Sequence, residues 1–113
     1  PYMLFFFGTD CGVCKAAIPD LNALEKEYGK EVQFIGILGP SKGFDKDIEI
    51  LKEHNITFKT TSDKVSVDYF SKAVGGVMGV PVIYFFDKDG KMRSKFIGLT
   101  PKSVLEGAIR SLL

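Results

Sequence analysis

Tryptophan is absent from this chain, histidine occurs once, at position 54, and cysteine occurs only as Cys11 and Cys14. Each scarcity excludes something. A core without indole draws its bulk from other aromatics, and ten phenylalanines supply it. Two cysteines three positions apart close too short a loop to staple a small scaffold, and 113 residues that are 45% hydrophobic do not need one. A closed zinc site normally takes four ligands, whereas Cys11, Cys14 and His54 offer three, so no metal is expected. Neither charge dominates. The 15 basic and 14 acidic residues are interspersed without a basic block, which argues against a nucleic-acid partner. No apolar run approaches the roughly 20 residues needed to span a bilayer. The expectation is one domain over residues 1–113. Because Pro1 stands directly before an apolar run, a signal or anchor is expected to precede it in a longer precursor.

What is present is concentrated near the start. Cys11-Gly12-Val13-Cys14 follows the apolar run Tyr2-Met3-Leu4-Phe5-Phe6-Phe7 and precedes a helical pattern. A strand ending in the turn Gly8-Thr9-Asp10 would deliver Cys11 to a helix N-terminus, where unpaired N–H groups and the helix dipole favour a thiolate. This is the setting of a redox-active disulfide. The three-residue offset puts both sulfurs on one turn, with Cys11 as attacking thiol and Cys14 close enough to resolve the mixed disulfide.

Residues 2–7 do not alternate, the habit of a strand buried on both faces. Ala17, Ile18, Leu21, Leu24 and Tyr28 recur at helical steps until Gly29, with a kink expected at Pro19. Residues 32–38 form a second strand, parallel to the first because a helix intervenes, and 39–43 a loop. A short helix at 48–55, a brief edge strand at 56–59, a polar connection at 60–64 and a helix at 65–74 follow, before the Gly75-Gly76 break. Residues 82–86 turn through Asp87-Lys88-Asp89-Gly90 into 91–97 as a hairpin. Thr100-Pro101 is expected to cap and start a last helix, with Val104, Leu105, Ala108, Ile109 and Leu112 on its apolar face. The fold class is therefore α/β, with a mixed sheet. His54 and Lys42, Lys46, Lys52, Lys59 and Lys64 read as solvated, Asp87 and Asp89 as turn formers, and Met78 as packing at the rim of the site.

The order of these elements, the Cys11, Cys14 and Pro19 spacing, Val80-Pro81, Gly90 and Gly98 together resemble the thioredoxin superfamily across essentially the whole chain. The long segment between Val32 and Pro81, with its additional helix, and Gly76-Val77-Met78-Gly79-Val80-Pro81 are similar to the extracytoplasmic TlpA-like branch, which includes reductases of cytochrome c maturation. That resemblance implies a thioredoxin-like fold with helices on both faces of the sheet and a leading strand ahead of this chain. It also implies a cis peptide before Pro81, and a thiol-disulfide oxidoreductase in which Gly12, Val13, Val80 and Pro81 meet the client. Its implied partners are a disulfide-containing client such as an apocytochrome c and an upstream thiol donor such as a membrane thiol transporter. It further implies a monomer without a cofactor, periplasmic or otherwise extracytoplasmic and anchored in the full-length precursor. Two other readings stay open, a cytosolic thioredoxin-like reductant and a non-catalytic binding module of the same fold. The chain departs from the family pattern where Asp10 and Val13 replace the usual tryptophan and proline. It departs again where Phe5 and Ala17 occupy the positions of the family's buried carboxylates, leaving solvent as the candidate acceptor of the Cys14 proton.

Overall fold

The computed structural model describes residues 1–8, 11–39, 43–77 and 79–113, with Phe44 described in its backbone alone. Nine elements follow one another: β1 (Tyr2–Phe7), α1 (Gly12–Tyr28), β2 (Gln33–Leu38), α2 (Phe44–Glu53), β3 (Lys59–Thr61), α3 (Lys64–Ala73), β4 (Val82–Phe86), β5 (Met92–Ile97) and α4 (Lys102–Leu112). The sheet order is β3-β2-β1-β4-β5. β1, β2 and β3 are parallel, and β4 runs antiparallel to β1 and to β5.

β1 is central, which explains why its sequence does not alternate. Met3, Phe5 and Phe7 point into the larger core with α1 and α4, while Leu4 and Phe6 point into a second core with Val82, Tyr84, Phe86 and side chains of α3. Helices thus cover both faces. Phe5 and Phe7 stack at 4.9 Å between centroids, and Phe58 meets Phe5 edge-on at 6.2 Å.

Several boundaries differ from the sequence reading, each for a local reason. The edge strand is Lys59–Thr61, two to three residues later than 56–59. Asn55 takes a left-handed φ of 55°, and the Asn22 side chain on α1 donates to Asn55 O and accepts from the Thr57 N–H and hydroxyl. That clamp holds 55–57 against α1 until Phe58 enters the core and Lys59 pairs with Ile35. α2 begins at Phe44, earlier than residue 48, and ends at Glu53. α3 starts at Lys64 because the Asp63 carboxylate caps it, accepting from the Ser66 N–H at 2.9 Å. Thr100 does not cap α4; its hydroxyl donates to Gly98 O, and Pro101 occupies the cap. Gly29 ends α1 at φ −62°, without the left-handed geometry usual for a terminal glycine, and the chain turns as Glu31 and Val32 N–H groups both donate to Tyr28 O. α1 continues through the exposed Pro19. His54 is half-buried where solvation was expected, and its Nδ1 is enclosed without a hydrogen-bond partner among the described residues.

Candidate active site

β1 carries the chain to the C-terminal edge of the sheet and α1 returns it, so the first turn of α1 sits at that edge. Cys11 is the N-cap residue. Its φ of −105° and ψ of 101° are extended, and its Sγ accepts a hydrogen bond from the Cys14 N–H at 3.1 Å. The two cysteines are joined by a disulfide with their Cα atoms 5.2 Å apart. Their exposures differ in a way that assigns access. Cys11 is half-buried, Cys14 is 1% exposed within the larger core, and Gly12 and Val13 between them are exposed. The helix N-terminus directs N–H groups and positive dipole at the Cys11 sulfur, so negative charge on that atom is favoured. Lys15 is exposed on the same turn.

The Val80–Pro81 peptide is cis. Pro81 is buried and its carbonyl accepts from the Gly98 N–H at 2.9 Å, which ties the loop to the end of β5. Val80 remains 41% exposed. Gly8 marks how near Val80 comes to the disulfide: a methyl at Gly8 would lie 3.4 Å from Val80 Cγ2 and 3.8 Å from Cys11 Cβ. Both residues therefore flank the same point of backbone. Gly12 and Val13 belong to the cysteine turn itself. Thr9, Asp10, Lys42 and Met78 lie outside the described residues.

Asp47 was not singled out from the sequence, yet it is buried to 2% exposure in the first turn of α2. The signal was available, since Asp47 sits three and four residues before Ile50 and Leu51, which pack against the larger core. Among the described residues no group of three or more histidine, cysteine or acidic side chains is placed to hold a metal ion. Nor is any helix long and apolar enough to cross a membrane.

A five-stranded mixed sheet with a disulfide at the start of the helix after its central strand defines a thiol-disulfide oxidoreductase of the thioredoxin fold. The chain belongs to the Redoxin family, whose model matches residues 1–109. It is 28% identical to the thiol-disulfide oxidoreductase YkuV of Bacillus subtilis, over all of this chain and 77% of the relative. It is 30% identical to the thiol-disulfide oxidoreductase ResA of Bacillus anthracis, over 96% of this chain and 61% of the relative, so it spans about three-fifths of that protein's length. A thiol:disulfide interchange protein from Chlorobium tepidum superposes with a TM-score of 0.83, at 20% identity, over 98% of this chain and 78% of the other, a likeness of fold.

Proposed function

We propose that the chain reduces or exchanges disulfides in client proteins, with Cys11 as nucleophile and Cys14 as resolving thiol. The observation that carries this is the unequal access of two bonded sulfurs, one at the helix cap and half-buried, the other behind it at 1% exposure. In the reduced protein the Cys11 thiolate attacks one sulfur of the client disulfide, forming a mixed disulfide and releasing the other client sulfur as thiolate. Cys14 then attacks Cys11 Sγ, the Cys11–Cys14 bond forms, and the second client thiolate leaves. Two electrons pass from the chain to the client, and the two protons of the dithiol end on the client thiols. Gly12, Val13, Val80 and Pro81 are the residues that would meet the client, an extended segment of which would lie along Val80 in the manner of strand addition.

The setting is periplasmic or otherwise extracytoplasmic, with the chain acting as one domain and a monomer, its client a disulfide-containing protein such as an apocytochrome c. An upstream dithiol, for which a membrane thiol transporter is the candidate, returns the pair to the reduced form. The test is reduction of a disulfide-bonded protein by the reduced chain. Cys11→Ser is expected to abolish turnover, and Cys14→Ala to accumulate a covalent mixed disulfide that dithiothreitol releases. Binding of a client that survives Cys11→Ser, without reduction by the unaltered chain, would instead identify a binding module.

A further inference from the structure

Cys14 must lose a proton before it can resolve a mixed disulfide, and its surroundings oppose that. It is 1% exposed in the larger core, and a thiol enclosed by apolar side chains gives up its proton reluctantly. Asp47, at 2% exposure, is the one buried charged side chain among the described residues. A carboxylate held out of water is costly to a fold, so its place matters.

Two relationships put Asp47 level with Cys14. β1 and β2 are parallel and end together, Phe7 opposite Leu38, and α1 and α2 both run back from that edge with Cys14 and Asp47 in their first turns. Further along, the Asn22 side chain donates to Asn55 O at 2.7 Å, and Cys14 and Asp47 each lie eight residues before that bond, about 12 Å of helix rise. Burial gives the direction. Ala17 and Ile18, one turn beyond Cys14, belong to the larger core, and Ile50 and Leu51, one turn beyond Asp47, pack against it. Both residues therefore lie on lines of their helices that look into the same core. Neighbouring helices stand about 8–10 Å apart between axes, a gap that two side chains and one water fill.

We propose that Asp47 accepts the proton of Cys14 in the resolving step, directly or through one enclosed water. The proposal rests on the reading of Cys11 and Cys14 as a disulfide-exchanging pair. Once Cys11 is bonded to the client, the Cys14 S–H bond breaks and its proton passes to an Asp47 carboxylate oxygen. The Cys14 thiolate attacks Cys11 Sγ, the Cys11–Cys14 bond forms, and the client thiolate leaves with the electron pair of the broken bond. Asp47 then gives the proton up, through solvent, to the departing thiolate. The other charged side chains of the two first turns, Lys15, Asp45 and Lys46, are exposed, and the strand ends Phe7 and Leu38 carry no charge. His54 lies at the far end of α2.

The experiment mixes the fully reduced protein with one equivalent of dithiobis(nitrobenzoate), which releases one coloured thiolate when Cys11 attacks and a second when Cys14 resolves. In the unaltered protein the second release is expected to stay within about twofold from roughly pH 7 to pH 8, because the acceptor is part of the protein. With solvent as acceptor the rate would follow the thiolate fraction and rise about tenfold over that unit. Asp47→Asn should leave the first release within about twofold and slow the second about a hundredfold at pH 7, a loss that shrinks as the pH rises. A second release that rises about tenfold per pH unit in the unaltered protein overturns the assignment, whether or not Asp47→Asn folds, and leaves the redox reading standing. So does a second release that Asp47→Asn leaves unchanged, or slows by the same factor at every pH. Failure of the reduced protein to release any coloured thiolate overturns the redox reading and this inference with it.

Discussion

The Cys14 N–H donates to Cys11 Sγ, so the more accessible sulfur is also the acceptor that caps α1. Cap and reacting atom are the same group. Behind it in the disulfide form, Cys14 is 1% exposed. Iodoacetamide at neutral pH is therefore expected to modify Cys11 at least about tenfold faster than Cys14, because both thiolate character and access favour it. Peptide mass mapping of a time course measures the two rates. Equal rates would contradict the assignment of roles.

Tyr28 joins the two helices of the larger core. Its hydroxyl accepts from Arg110 Nε at 3.0 Å and donates to Glu106 Oε2 at 3.0 Å, linking the end of α1 to α4. Tyr28→Phe keeps the ring and removes both bonds, which should cost about 1 kcal/mol in urea unfolding without changing the redox chemistry. A stability equal to that of the parent would show that water replaces the bridge.

Gly36 lies within β2 where three side chains converge. A methyl there would come within 2.7 Å of Thr60 Oγ1, 3.0 Å of Phe58 Cε2 and 3.2 Å of Phe7 Cε1. Thr60 can turn away, but the two rings are held in the core, so Gly36→Ala should cost about 1–3 kcal/mol. Among the described residues a methyl at Gly8 meets nothing nearer than 3.4 Å, so Gly8→Ala should cost less than Gly36→Ala. Thermal unfolding of the two variants gives the contrast.

Asp87 holds the hairpin between β4 and β5. The Lys91 N–H, followed by the Asp89 N–H and Arg93, keeps its carboxyl below the ordinary value of 3.8. A lowered folded pKa means the stabilisation is fully present above about pH 4 and is lost as the pH falls through the folded value. The melting temperature of the parent should therefore exceed that of Asp87→Ala at pH 7, and the acid-dependent part of the gap should close below about pH 4. A gap independent of pH would mean that the carboxylate charge is irrelevant to the turn.

The strands as segments, the helix after Cys11 and the hairpin at Gly90 were legible because apolar runs, helical steps and turn residues each state a local preference. The cysteine pair was legible for the same reason, since its spacing and its place after a strand are local. The register of β3 was not. It depends on Asn22, more than thirty residues earlier, clamping Asn55 and Thr57, and periodicity carries no such information. Gly36 looked like an ordinary strand residue until Phe7 from β1 and Phe58 and Thr60 from the segment of β3 were brought to it.

The central claim is that Cys11 and Cys14 form a pair that cycles and donates electrons to client disulfides. Equilibrating the protein in graded thiol-disulfide buffers and mass-tagging its free thiols measures the reduction potential directly. The account predicts one reversible two-electron transition at or below about −250 mV, where a reductase operates. A pair that does not cycle, or a potential near −120 mV as for a strong oxidant, would contradict it.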